Sequence, residues 1–202
     1  RHGAYMVSPS KSNVRGGRLG RGGREDLAVR LFVGVTDGVW FRFLKARPHL
    51  TEINFWLPSA RGFHATVPGE LFLFKLKYPL NAIAGGGVLQ DARVLPLSLA
   101  WDAFEEGNGL PDLASLRRRI AEYRPGIGFS DEIGCVMLRD PFYLEPHDYV
   151  AAPDDWSPNI VAGKKYTDAT ASGRALFEQV RLRLTASSVQ RSAIAEDGQM
   201  FG

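Results

Sequence analysis

Catalysis and metal binding need side chains of suitable type at spacings that converge, and the few candidates in this chain do not. The four histidines, His2, His49, His64 and His147, include no pair at i, i+3 or i, i+4, the spacing that sets two imidazoles on one helix face. Cys135 is the single cysteine, which excludes an intramolecular disulfide and any cysteine-based zinc cluster. It sits in the apolar run Ile133–Leu138, where a buried, inert thiol is expected. There is no G-x-S-x-G elbow, and Ser157 lies in the turn-forming Trp156-Ser-Pro158. Gly85-Gly86-Gly87 is not followed by the Lys-Ser/Thr of a phosphate loop and lacks a dinucleotide fingerprint. Glu70 and Lys75, which could begin a carboxylate–lysine nuclease set, are odd and even positions of one strand and point to opposite faces. Asp154-Asp155 and Glu105-Glu106 read as solvated charge in loops. No catalytic residue, metal site or cofactor is expected in this chain.

A different chemistry is written in Asn54-Phe55-Trp56. In a strand, Asn54 and Trp56 share a face and Phe55 takes the other. An amide can donate and accept at a base edge, and an indole beside it offers a stacking surface, so the pair suits an unstacked nucleobase. Spacing alone leaves open that Trp56 is core and that Asn54 satisfies a turn.

These residues must be positioned by the elements around them. Arg30–Thr36 reads as a first strand, and Asp37 as the cap of a short helix burying Trp40, Phe41 and Leu44 and ended by Pro48. A second strand is expected over 52–56, closed by Pro58. Residues 70–77 alternate Leu71, Leu73 and Lys75 against Phe72, Phe74 and Leu76, apolar on both faces as in a central strand. The turn 78–81 leads into a strand over 82–89, whose three glycines imply a bulge, a barrel corner or close approach of backbone or ligand. Helices are expected over 98–104, 112–123 and 174–186, with strands at 133–138 and 142–144. In the first of these helices Leu97, Trp101 and Phe104 form one apolar stripe. Arg117, Arg118 and Arg119 point round the second helix and read as a solvated face.

Composition bounds the rest. The chain has 202 residues, 45% of them hydrophobic and 23% charged, which suits one globular domain with a core. The net charge is +3, much of it carried by Arg15, Arg18, Arg21 and Arg24 in a Gly/Arg-rich tail over 1–28, expected to be disordered. That tail reads either as a phosphate-tracking segment or as an extension without function. No apolar run reaches the ~18–20 residues of a membrane span, and a cytoplasmic location is expected.

Several runs together carry a resemblance. Ile53-Asn-Phe-Trp-Leu-Pro58, Pro68-Gly-Glu-Leu-Phe-Leu-Phe-Lys-Leu76 and Pro79-Leu-Asn-Ala-Ile-Ala-Gly-Gly-Gly87 resemble the N-terminal region of HNH restriction endonucleases that target modified DNA. Pro96–Phe104 and Asp154–Gly163 extend this collinear likeness over about residues 31–184. The order of motifs is also similar to the EVE and PUA-like superfamily. The resemblance implies an α+β fold, a small PUA/EVE-like β-barrel of five to six strands decorated by helices. Residues 29–186 would be the reader domain and 187–202 a linker toward a missing C-terminal HNH module.

The same resemblance implies a DNA-binding specificity domain that holds a flipped, modified cytosine in an aromatic pocket. Its partner would be double-stranded DNA carrying modified bases, and a homodimer through the parent nuclease is allowed. Asn54, Trp56 and Trp40 lead the base pocket, and Asp155, Trp156 and Asn159 of the late motif are placed to close it. Arg61, Lys75, Lys77 and Lys164 are the candidate phosphate contacts. A divalent metal is expected only for the HNH module. An RNA-associated PUA-like module, an enzyme acting on a small nucleotide-like ligand, and a protein-interaction domain exposing an apolar patch remain as alternatives.

Overall fold

The structure, a computed structural model, describes residues 28–199, with side chains through residue 186. The tail expected over 1–28 lies outside these residues except for its last position. In chain order the elements are β1 (Arg30–Thr36), α1 (Gly38–Lys45), β2 (Glu52–Leu57), β3 (Leu71–Leu76) and β4 (Ala82–Pro96). There follow α2 (Leu97–Phe104), a 3-10 turn (Glu105–Asn108), α3 (Leu113–Ala121), β5 (Glu132–Tyr143), β6 (Val150–Ala151), β7 (Gly163–Thr167) and α4 (Ala171–Gln199).

The strands form one mixed sheet in the order β2-β5-β4-β3-β1-β7, with β6 paired to β4. Only β1 and β3 run parallel among the described pairings, joined by a crossover through α1 and β2. The expected α+β class holds, but the barrel does not: the sheet is open, with β2 and β7 at its two ends. It also has seven strands rather than five to six. The extra strands are the two-residue β6 and the lysine-bearing edge strand β7, neither of which shows an apolar alternation.

The strand β4 runs 15 residues, well past the expected end at Leu89, and the register against β5 shifts at Gly86/Val88 and Leu89/Asp91. Bulges of this kind bend a strand and raise its twist. They also let Pro141 stand within β5, because it falls inside a register shift against β4 and beyond the reach of β2, whose pairing ends at Glu52↔Arg139. The glycines of β4 serve neighbouring strands rather than a ligand. A Cβ on Gly85 would strike the Phe142 carbonyl, and one on Gly86 would come within 2.7 Å of the Phe72 carbonyl oxygen.

The alternation along β3 divides the core as its sequence pattern requires. Phe72, Phe74 and Leu76 join Trp40, Phe55, Leu97, Leu116 and Ile120 beneath α1, α2 and α3. Leu73 joins Leu31, Val33, Ile83 and Tyr166 on the other face, covered by Leu176 and Val180 of α4. Phe72 and Phe74 are fully buried, and each contributes roughly 2 kcal/mol by removal from water. The helix α4 continues to Gln199, so the stretch expected as a linker from 187 is helical that far. Among the described residues, no helix is long and apolar enough to cross a membrane, and no group of three metal-ligating side chains converges.

Candidate functional site

At one end of the sheet, where β1 passes into α1, a cavity of about 160 Å³ opens to the surface. Four rings, Trp40, Phe55, Trp56 and Tyr123, line it together with Val35, Leu57, Pro58, Val161 and Ala162, and its charged groups are Asp37 and Lys77. Each arrives by a local cause. Asp37 directly follows β1 and caps α1, its Oδ1 accepting from the Val39 and Trp40 N–H groups at 2.8 and 3.0 Å. That cap fixes the first turn of α1 and so aims Trp40 between Phe55 and Phe74, edge-on at 5.3 and 5.1 Å between centroids. The strand β2 delivers Phe55, Trp56 and Leu57. The strap between β6 and β7 delivers Val161 and Ala162, tied to β1 by a 2.9 Å bond from the Val35 N–H to the Ala162 carbonyl.

Both indole N–H groups are spent inside the protein. Trp40 Nε1 donates to the Asn54 carbonyl at 3.1 Å, and Trp56 Nε1 to the Asn108 carbonyl at 3.2 Å. Trp40 is 2% exposed and Trp56 8%, so both are core residues whose rings border the cavity with little free surface, and neither offers it a hydrogen. Gly109 permits the Trp40 position: it sits at φ 76°, and a Cβ there would overlap the indole.

The polar side of the cavity is a chain of charge. Asp37 Oδ2 accepts from the Tyr123 hydroxyl at 2.9 Å and from Arg119 Nη2, and Arg119 also pairs with Glu122. Burial pushes the Asp37 carboxyl up, but the hydrogen bonds from Arg119, the Trp40 N–H and Tyr123 outweigh it and hold the group below its usual range. Lys77 Nζ donates to the Tyr123 hydroxyl at 3.2 Å and lies 5.1 Å from that ring's centroid. Tyr123 stands 6.1 Å from Trp56, tilted by 58°. The result is an apolar, ring-walled hollow with a carboxylate, a cationic amine and a phenol at its edge.

Of the six pocket residues expected from sequence, the structure brings Trp40 and Trp56 to this cavity. Asn54 lies elsewhere. It is on the Trp56 face, but one pleat back and under the 3-10 turn, fully buried, with Nδ2 donating to Asn108 Oδ1 at 2.9 Å. Asn108 in turn donates to the Ala100 and Glu105 carbonyls, so the two amides lock α2 and the 3-10 turn onto β2. Asp155, Trp156 and Asn159 sit on the strap away from the cavity. Asp155 accepts from Lys164 and from the Tyr166 hydroxyl, Trp156 covers Lys75, and Asn159 is exposed beside Ser157.

The four cations expected at phosphates also separate. Lys77 is at the cavity and Arg61 is exposed three residues past Pro58, whereas Lys164 is held by Asp155 at 2.7 Å. Lys75 is buried and cannot reach a phosphate: its Nζ donates to Asn81 Oδ1 at 2.5 Å and lies 4.9 Å from the Trp156 ring centroid. Sequence reading missed Asp37 and Tyr123 as site residues. Each carried a sufficient local explanation, the one as a helix cap and the other as the end of an apolar stripe.

No protein-family model matches the chain, and no curated protein matches it significantly. Among solved structures it is similar to ASCH from Zymomonas mobilis, with a TM-score of 0.50 at 12% identity, over 73% of this chain and 94% of that one. Two point mutants of the same ASCH protein align at TM-scores of 0.47 and 0.48, also at 12% identity, covering 73% and 74% of this chain and 95% of theirs. The architecture is thus an α+β fold similar to that of the ASCH protein, with an open seven-stranded sheet and a ring-walled cavity at one end.

Proposed function

We propose that this chain is a nucleic-acid reader that takes one unstacked base of duplex DNA, a modified cytosine, into the cavity beside Trp56. The observation that carries the reading is the convergence of Trp40, Phe55, Trp56 and Tyr123 on a hollow of about 160 Å³, with both indole N–H groups already bonded inward. Such a hollow holds one aromatic heterocycle. Extracting a base costs a few kcal/mol, and stacking on side-chain rings returns ~1–3 kcal/mol per base, so a pocket of rings can offset much of the cost.

Lys77 supplies a donor to the base edge or to its phosphate, the Tyr123 hydroxyl hydrogen being already given to Asp37. Val35, Leu57 and Val161 give an apolar wall suited to a 5-methyl substituent. The cytosine class itself rests on the resemblance to the N-terminal regions of HNH restriction endonucleases. In such a parent, this chain would supply specificity and the HNH module the metal-dependent cleavage.

The reading is tested by competition at fixed salt among matched duplexes with and without 5-methylcytosine and a structured RNA. Preferential binding of the methylated duplex supports it. Equal competition by both duplexes, or displacement by the RNA alone, overturns it.

A further inference from the structure

A second hollow lies on the sheet face opposite the core that holds Trp40, Phe55 and Trp56. It is a groove of about 540 Å³ between the sheet and α4. Its apolar lining is Leu71, the first residue of β3, with Phe177, Val180 and Leu184 of α4. Val180 is buried, whereas Phe177 and Leu184 pack only in part on the core beneath them. Asp168, directly after β7, is at the groove as well.

Two of these lining residues flank the start of β1. Leu71 pairs with Leu31, and the Asp168 N–H donates to the Val29 carbonyl at 3.1 Å, so the ladder between β1 and β7 runs on beyond Arg30. Side chains alternate along a strand, and Leu31 and Val33 face α4, so positions 29 and 27 belong to that face by register. Both positions are apolar, Val29 and Leu27, and Val29 is 53% exposed. Among the described residues no cation pairs with the Asp168 carboxylate. Arg24 is the first cation met in sequence ahead of Arg30.

We propose that the groove under α4 is the seat of this chain's own residues 24–27, with Leu27 as the apolar anchor and Arg24 as the partner of Asp168. The groove offers Leu27 an apolar floor in Leu71 and Val180 and a wall in Phe177 and Leu184. A segment tethered at the groove's edge is present there at an effective concentration on the order of mM, which favours it over any free peptide or second copy. Seating Leu27 also fixes where the run Arg15–Arg24 leaves the domain, on the α4 side of the sheet and away from the ring-walled cavity. The seat is independent of what that cavity binds.

The test uses the full chain with isotope-labelled leucine and valine methyl groups and nuclear Overhauser spectroscopy. The seat requires contacts from the Leu27 methyls to the Phe177 ring or to the Val180 and Leu184 methyls. In Leu27→Asp those contacts vanish and the Val180 and Leu184 signals shift, while a retained cooperative melt establishes that the variant folds. Groove signals that stay in place in Leu27→Asp, or a wild type without the contacts, overturn the seat. A sample mixing labelled and unlabelled chains separates contacts within one chain from contacts between two. Contacts found only between chains put a second copy in the groove and overturn the seat as well.

Discussion

The indole N–H of Trp56 meets the main-chain carbonyl of Asn108 at 3.2 Å, across 52 positions of sequence. Through that bond the 3-10 turn sets the angle at which the Trp56 ring faces the cavity. The neighbouring side chain of Asn108 is bonded to Asn54 and to the carbonyls of Ala100 and Glu105, so the ring is braced by a buried amide network.

Trp56→Phe keeps a ring and deletes the N–H, leaving the buried Asn108 carbonyl without this donor. The expected result is a stability loss of about 1–2 kcal/mol in urea titration with recognition of modified DNA largely kept. Trp56→Ala removes the ring and is expected to abolish the proposed preference. Loss of preference in both variants alike would show that the bond, not the stacking surface, carries recognition.

Asp37 combines a helix cap with an ion pair, and two variants separate them. Asparagine is also a good cap, so Asp37→Asn loses chiefly the Arg119 pairing, whereas Asp37→Ala loses the cap as well, about 1 kcal/mol more. The folded carboxyl lies below its ordinary value of 3.8, so its contribution is present above that pH and is lost as pH falls through the lower, folded value. Acid unfolding of the wild type is therefore expected to show an added loss of stability below about pH 4 that Asp37→Asn lacks. Parallel stability curves for the two proteins would refute the assignment.

Lys75 offers the opposite sign. Burial lowers its amine below 10.5, so the unfolded chain binds more protons and stability rises with pH as the folded amine deprotonates. Lys75→Met is expected to raise stability at pH 7 by about 1 kcal/mol, with the gain shrinking toward pH 10. A pH-independent difference between the two proteins would contradict this account of the buried amine.

Gly109→Ala is expected to cost about 2 kcal/mol or more, since φ 76° disfavours a side chain and the new methyl would drive into Trp40. The near-ultraviolet circular dichroism of the tryptophans reports the displacement. An unaltered spectrum with wild-type stability would contradict the packing described.

Local rules carried the reading of the sequence a good distance. The Asp37 cap, the burial of Trp40, Phe41 and Leu44 on α1, and the two faces of β3 follow from spacing alone, because each is settled within a few residues. The strand β7 was hidden because Lys164 and Lys165 interrupt its apolar pattern at the sheet edge. Alternation set Asn54 and Trp56 on one face but could not say what covers that face, and Asn108 buries one while the cavity borders the other. Lys75 is a candidate phosphate contact by residue type, yet its environment comes from Asn81 and from Trp156, far along the chain. The site was legible where strand geometry decided it and illegible where long-range packing did.

Four indole N–H groups, those of Trp40, Trp56, Trp101 and Trp156, give the protein four separate nuclear magnetic resonance signals. Titration with a methylated duplex is expected to shift the Trp40 and Trp56 signals in a saturable way and to leave Trp101, on α2 and absent from the cavity lining, in place. Saturable binding with Trp40 and Trp56 unmoved would contradict the pocket.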